Sequence, residues 1–222
     1  MVNEAIFTVA AFSLLTFNTY LITPPEAPTV QERVLVTREI SLEERYADKF
    51  VNDVFKDNIL LTMAYLRGEK IDSTNVDWNL VKKPFSFKMG LKPGKTFAFH
   101  EDILPEYLDK VTKTTGSRFN YQDGFKSDGY LTGDGVCHLA SLINWAAADA
   151  NLNVKAPTNH DFAVIPGVPG KFGTSIYVGS NQTGANALQN LYVTNNYNKP
   201  IIFAFSYDGK ILKLSVAEVA FN

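Results

Sequence analysis

The sequence is poor in the residues that build cross-linked or metal-bound folds. Its 222 residues include one cysteine and three histidines. A single cysteine excludes an internal disulfide framework and a four-cysteine zinc site, and three histidines leave little material for a metal cage. The run His100-Glu101-Asp102 is interpreted as a polar surface loop. We therefore predict neither a metal nor a cofactor.

An excess of charge of one sign is also missing. Lys and Arg number 21 and Asp and Glu number 23, so the formal net charge is -2. Without a basic field, binding to nucleic acid through phosphate neutralisation is not expected. Hydrophobic residues at 45% and charged residues at 20% are ordinary for a globular chain, which excludes a disordered or collagen-like protein.

One stretch near the N-terminus lacks charge altogether. Residues 5–22 read AIFTVAAFSLLTFNTYLI, and a bilayer span needs about 20 apolar residues with a lower limit near 17. We predict a transmembrane anchor or signal-anchor over 1–23 and a Pro-rich linker over 24–40 that ends in a short extended piece. A cleaved signal peptide would need a basic start and a small-x-small exit, and the sequence has neither. A buried helix of the domain is the remaining alternative.

The rest of the chain, 41–222, is predicted to be an α+β domain. Ser41 and Glu44 form a capping box ahead of apolar residues at helical spacing, which predicts a long amphipathic helix over 41–67. A helix over 137–150 is predicted to pack on a mostly antiparallel sheet. The predicted strands are a pair joined by the turn Lys92-Pro93-Gly94-Lys95, then 161–165, 174–178, 188–194, 200–206 and 210–219, with a hairpin turn at Asp208-Gly209 between the last two.

The most informative stretch runs from Gly133 to Ser141 and reads GDGVCHLAS. Its glycines allow a sharp turn immediately before a helix, so Cys137 is placed within one residue of a helix N-terminus. Free N–H groups and the helix dipole favour an anion there, which should ease ionisation of the thiol. Cys137 is thus a candidate nucleophile, and the alternative is an inert buried cysteine.

A second segment is predicted to pack beside the cysteine. The helix face opposite the apolar core face has no long or charged side chain, as a covered face would; it consists of Cys137, Ser141, Asn144 and Ala148. The segment after Pro157 is the natural partner. It would bring His160 close to the sulfur as a general base, and a structural role for His160 is the alternative.

The candidate site extends beyond these two residues. Asp161 adjoins His160, but neighbours on a strand point to opposite faces, so it is a doubtful partner for the imidazole. His138 could line the mouth of the site. We predict Cys137 and His160 as catalytic residues, and the residues predicted to line the site are Gly133, Asp134, Gly135, His138, Ser141 and Asp161.

Four pieces of the sequence, in order, resemble the VanW-like family, which is named for an accessory protein of vancomycin-resistance clusters. The resemblance covers about 58–219 and rests on 58–68, 91–99, 133–141, and 188–196 with 199–201 and the Asp208-Gly209 hairpin. The third piece resembles a family element of three glycines, an apolar residue, Cys, Gln, an apolar residue and two serines. This sequence departs from it at Asp134, His138 and Ala140.

The resemblance implies a membrane-attached or exported protein of the bacterial cell envelope, without a defined reaction. The implied partners are cell-wall or peptidoglycan components, and the membrane through residues 5–22. No Lys or Arg precedes the apolar run, whereas Arg33 and Arg38 follow it, so the positive-inside rule would keep the domain in the cytoplasm. The resemblance instead implies an extracytoplasmic domain, and the orientation stays open.

Three functions are compatible with these observations. A thiol enzyme would act on peptide or isopeptide bonds of the wall, with Cys137 attacking, His160 carrying the proton and N–H groups at the helix start holding the oxyanion. A noncatalytic module would bind glycan or peptide through aromatic residues such as Tyr121, Phe125, Tyr130 and Trp145. A scaffold in a membrane complex would use the helix 41–67 as its partner surface.

Overall fold

The computed structural model describes residues 30–43, 45–177, 179 and 183–221. These residues form two four-stranded sheets and four α-helices. The helices are α1 (Lys49–Leu66), α2 (Trp78–Val81), α3 (Val136–Asp149) and α4 (Thr183–Leu188). The strands are β1 (Val30–Ser41), β2 (Phe85–Leu91), β3 (Thr96–Ala98), β4 (Val111–Lys113), β5 (Asn153–Lys155), β6 (Tyr192–Thr194), β7 (Ile201–Tyr207) and β8 (Ile211–Phe221).

The larger sheet has the strand order β1-β8-β7-β2 and is antiparallel throughout. Buried and half-buried residues alternate along β7, so one face of the sheet lies against the core. The predicted hairpin at Asp208-Gly209 is confirmed. Gly209 has a φ of 110°, and the Asp208 carboxylate accepts hydrogen bonds from the N–H groups of Lys210 and Ile211, both at 2.8 Å.

The smaller sheet has the order β4-β3-β6-β5, with β3 and β4 parallel and the other pairs antiparallel. The predicted pairing across the Lys92–Lys95 turn is wrong, because β2 and β3 belong to different sheets. β2 pairs with β7 over its whole length, while the Gly94 N–H donates to Asn195 O at 2.8 Å. The turn therefore passes the chain from one sheet to the other.

The predicted start of the long helix at Ser41 is also wrong. The extended piece before it is a full strand, β1, which stays paired with β8 as far as Ser41. Pairing with β8 thus overrides the local capping signal, and Glu44 lies outside the described residues. The helix begins at Lys49, where the carboxylate of Asp48 accepts hydrogen bonds from the N–H groups of Phe50 and Val51.

The core lies between the larger sheet and the two long helices. The predicted helix 137–150 is confirmed as α3, whose apolar face packs on β1 and β8. Most of α1 is buried, which leaves little of it as the partner surface of a scaffold. Residues 161–165 and the described part of 174–178 form no strand, and the strand predicted at 188–194 is confined to β6. The α+β class and the last two predicted strands are confirmed.

The predicted membrane anchor over 1–23, including residues 5–22, falls outside the described residues. Among the helices that the structure describes, none is sufficiently long and apolar to span a bilayer.

Candidate functional site

The glycine loop before α3 presses its backbone against neighbouring segments. Gly135 has a φ of +100°, and a Cβ there would lie 2.6 Å from the carbonyl oxygen of Phe55 in α1. Gly133 has a φ of +86°, and a Cβ there would lie 2.7 Å from the carbonyl oxygen of Phe119. Both positions need glycine for its left-handed conformation and for the close approach of backbone.

The thiol of Cys137 is held by the backbone of Ile176. The Ile176 N–H donates to Sγ at 3.4 Å, and the thiol donates to the Ile176 carbonyl oxygen at 3.6 Å. Burial raises the pKa of the Cys137 thiol to about 11, and the nearby Asp134 contributes to that rise. The position at a helix N-terminus predicts a lowered pKa for this thiol. The pKa is raised instead, because desolvation outweighs the effect of the helix dipole.

Two N–H groups at the start of α3 are engaged in turns. Val136 N–H donates to Gly133 O at 3.1 Å, and His138 N–H donates to Gly135 O at 3.0 Å. These turns hold the glycine loop on the helix, so the two amides flanking Cys137 are not free to hold an oxyanion.

The small-residue face of α3 is covered, as its composition predicts. The covering segment is 172–176, further along the chain than His160. Thr174 N–H donates to the Ser141 hydroxyl at 2.9 Å, and the Asn144 side chain donates to Phe172 O and to the Thr174 hydroxyl, both at 3.0 Å. Ser141 therefore has a structural role and does not line the cleft described below.

His160 lies in a loop, and its ring is buried against Phe162, with ring centroids 4.0 Å apart. Nδ1 lies 3.2 Å from the Ala163 carbonyl oxygen. Since a carbonyl can only accept, Nδ1 carries the proton and Nε2 is left as an acceptor. Burial lowers the pKa of His160, which keeps the ring neutral at neutral pH.

His138 is almost fully buried, and both of its ring nitrogens have partners. Arg45 Nη2 lies 3.1 Å from Nδ1, and Tyr46 Oη lies 3.3 Å from Nε2. Burial lowers the pKa of His138 well below its usual value, and the charge of Arg45 lowers it further. Arg45 also donates to the carbonyl oxygens of Ser41 and Pro166.

These residues meet in a cleft with a volume of about 370 Å³. Cys137, His138, His160 and the loop 133–135 all line it, so most of the predicted site is brought together. In the described structure no hydrogen bond joins Cys137 to His160. Asp161 is exposed and lies outside the cleft.

Asp134 gives the cleft a carboxyl group whose pKa is raised. The Asp128 N–H donates to Asp134 Oδ2 at 3.1 Å. Burial raises the pKa of Asp134 to about 6, and the neighbouring carboxylate of Asp128 adds to the rise. Asp134 therefore changes charge between mildly acidic and neutral pH.

Exposed aromatic side chains surround the cleft. Tyr130 is 91% exposed, Phe162 72% and Tyr177 51%. Of the aromatic residues predicted to bind a wall ligand, Tyr130 alone lines the cleft. Tyr121 is exposed but lies elsewhere, and the structure buries Phe125 in the core. Trp145 stacks on Phe172 beneath the guanidinium of Arg38.

Sequence reasoning missed the wall of the cleft that the start of α1 and the chain before it supply. Tyr46 and Phe55 line the cleft, with ring centroids 4.7 Å apart. Tyr46 fits the apolar spacing of an ordinary core helix, and no motif marks either residue. Phe162 lies in the predicted strand 161–165, which does not form, and its side chain is exposed.

The run His100-Glu101-Asp102 is a loop with Glu101 exposed, as predicted, but His100 is buried. His100 is 1% exposed, with Nε2 3.0 Å from Gln189 O, and burial lowers its pKa. The Asp102 carboxylate accepts from Asn186. Among the described residues, no group of three or more His, Cys, Asp or Glu side chains could hold a metal ion.

The family profile described as "VanW like protein" matches residues 87–217, which are 131 of the 222 residues. The chain belongs to the VanW-like family. The match contains the glycine loop, Cys137, His160 and the three exposed aromatic residues of the cleft, Tyr130, Phe162 and Tyr177, which we call the aromatic rim. Tyr46 and Phe55, which form another wall of the cleft in this VanW-like protein, precede the matched residues. No curated protein and no solved structure matches the sequence.

Proposed function

We propose that this VanW-like domain binds cell-wall material in the cleft and does so without covalent chemistry. Membership of the family supports a role related to the cell envelope. The observation that carries the proposal is the rim of Tyr130, Phe162 and Tyr177, which leaves three aromatic rings exposed around a concave site. Exposed apolar surface next to a cavity is typical of a binding site.

The interior of the cleft offers polar groups to a ligand. Its described polar groups include the phenol of Tyr46, the guanidinium of Arg118, the amide of Asn120 and the carboxyl of Asp134. Aromatic rings at the mouth and hydrogen-bonding groups inside match a sugar, which has an apolar face and a polar edge. The membrane tether through residues 5–22 and an extracytoplasmic position belong to the same proposal, because peptidoglycan lies outside the cytoplasm.

Binding is favoured over catalysis by the state of the thiol. Since burial raises the pKa of Cys137 to about 11, very little thiolate exists at neutral pH, and the thiolate is the nucleophile. The N–H groups of Val136 and His138 beside it are engaged in the turns of the glycine loop, so neither of these two is available to an oxyanion.

Sedimentation with purified peptidoglycan sacculi tests the proposal. Phe162→Ala should reduce the bound fraction strongly, whereas the control Val164→Ala, an exposed residue outside the cleft, should not. Tyr130→Ala is matched in the same way by Tyr121→Ala. We expect about a tenfold loss of affinity for each cleft variant. Absence of binding by the unmodified protein, or equal losses in both members of a pair, would overturn the proposal.

A second candidate is acyl transfer by Cys137, and one observation favours it. His160 Nε2 is an unprotonated acceptor in the same cleft as the thiol. Sγ would attack a carbonyl carbon and pass its proton to Nε2, the proton would go to the departing amine, and water or another amine would release the acyl group. Turnover of muropeptides that is lost in both Cys137→Ala and His160→Ala would establish this reaction, and turnover retained by either variant would exclude it.

A further inference from the structure

Arg45, His138 and Tyr46 form a chain of hydrogen bonds with a fixed direction. A guanidinium has donors only, so Arg45 Nη2 donates to His138 Nδ1 across 3.1 Å. The neutral His138 must then carry its proton on Nε2. That N–H faces Tyr46 Oη at 3.3 Å, and the phenol oxygen therefore accepts.

The phenol proton of Tyr46 is consequently free to point elsewhere. Tyr46 lines the cleft, and among the described residues its only hydrogen-bond partner is His138. Burial raises the pKa of Tyr46; Arg45 opposes this and the carboxylates Asp128 and Asp134 add to it. The phenol therefore stays protonated and offers a donor to whatever occupies the cleft. Hydrogen bonds in a chain also polarise one another, which strengthens that donor.

Acceptors lie in the same cleft as this donor. His160 Nε2 has no proton, since Nδ1 donates to Ala163 O, and the Asp134 carboxyl lines the cleft as well. The site therefore combines a directed O–H donor with acceptors for an N–H group. A secondary amide, with its carbonyl oxygen and N–H on opposite sides, satisfies both.

We infer that Tyr46 recognises the acetamido group of an N-acetylated amino sugar, an inference that rests on the proposed binding of cell-wall material. Its hydroxyl donates to the acetamido carbonyl oxygen, the acetamido N–H faces the acceptors Asp134 and His160, and the sugar ring lies against the aromatic rim. A glycan is favoured over a stem peptide because the rim presents three exposed aromatic rings, Tyr130, Phe162 and Tyr177, which suit pyranose faces.

Calorimetric titration with two neutral tetrasaccharides tests the inference. The chitin tetrasaccharide carries an acetamido group on each ring, whereas cellotetraose has a hydroxyl in that place. We expect the chitin tetrasaccharide to bind at least tenfold more tightly than cellotetraose. Tyr46→Phe should weaken the chitin tetrasaccharide about 5- to 10-fold and leave cellotetraose unchanged, as expected for loss of one hydrogen bond.

The phenylalanine variant keeps the ring that packs on Phe55, and its thermal unfolding verifies that the fold is intact. Tyr121→Phe, an exposed tyrosine outside the cleft, is the matched control. Equal binding of the two tetrasaccharides, or unchanged binding by Tyr46→Phe, would overturn the inference. Sacculi that bind while the chitin tetrasaccharide does not would point to the stem peptide and overturn the inference alone. Failure of the sacculi themselves to bind would remove the proposed function.

Discussion

Asn58, in the middle of α1, binds both the backbone N–H and the backbone carbonyl of Lys126. Asn58 Oδ1 accepts from Lys126 N–H at 2.9 Å, and Nδ2 donates to Lys126 O at 3.0 Å. The same Nδ2 donates to Asp134 O at 2.8 Å. One buried amide thus fixes both ends of the loop 126–134 that forms one side of the cleft.

Asn58→Ala is expected to destabilise the fold by about 3 kcal/mol, because it removes three hydrogen bonds and leaves buried backbone groups without partners. Chemical denaturation measures this change in the free energy of unfolding. Asn79→Ala, at an exposed position in α2, is the control and should change stability little. A loss below about 0.5 kcal/mol in Asn58→Ala would contradict the role assigned to the amide.

Alanine substitutions at two left-handed glycines, Gly135 and Gly129, distinguish the cost of backbone strain from the cost of steric contact. Their φ values are +100° and +115°, but a Cβ at Gly135 would meet Phe55 O at 2.6 Å, while at Gly129 nothing lies within 4 Å. Gly129→Ala should cost about 1 kcal/mol for conformation alone. Gly135→Ala should cost clearly more and should also weaken sacculus binding, since α1 and the loop must separate. Equal costs in thermal unfolding would show that the close contact is unimportant.

The sequence predicts well those elements whose signals are local. The glycines before Cys137 and the apolar spacing after it place α3 to within one residue, and Asp208-Gly209 places the hairpin of β7 and β8. Ser41 misleads because its capping signal competes with pairing between β1 and β8, strands more than 160 residues apart in the chain. A long-range pairing of this kind leaves no mark within a short window of sequence.

In the candidate site, too, local features could be predicted from the sequence and long-range contacts could not. Cys137 and His160 line the same cleft, but the small-residue face of α3 is covered by 172–176 and not by the segment directly after Pro157. The pKa of the thiol could not be foreseen, because its rise comes from burial, which depends on how distant segments pack around Cys137. Tyr46 was likewise missed because its partner, His138, lies 92 residues away.

Cys137 should react slowly with alkylating agents at neutral pH. A pKa of about 11, raised by burial from 9.0, reduces the thiolate fraction at neutral pH roughly 100-fold. Mass spectrometry of iodoacetamide labelling between pH 7 and 11 should show a rate that rises steeply above pH 9. The urea-unfolded protein serves as the control for intrinsic reactivity. Rapid labelling of the folded protein near pH 7 would contradict the raised pKa and favour the thiol enzyme.

Asp134 should make the fold less stable as the pH rises. Its folded pKa of about 6 lies above its usual value, because of burial first and Asp128 second. The stabilisation tied to its protonated form is therefore complete below its unfolded pKa and is lost as the pH rises through 6. Asp134→Asn should be more stable than the unmodified protein at pH 8, by about 1 kcal/mol, since solvent screens a half-buried carboxylate. Urea unfolding at pH 4 and pH 8 measures this, and a difference that does not change with pH would contradict it.

The central claim is that cell-wall material occupies the cleft beside α3. Backbone amide NMR spectra recorded during titration with soluble peptidoglycan fragments test it most directly. The account predicts shifts confined to the signals of Gly133, Gly135, Tyr130 and Phe162 and their neighbours, with signals of the distant strand β2 unchanged. Saturable shifts that map instead to β2 or to the edge of β1, with the cleft signals unmoved, would contradict it.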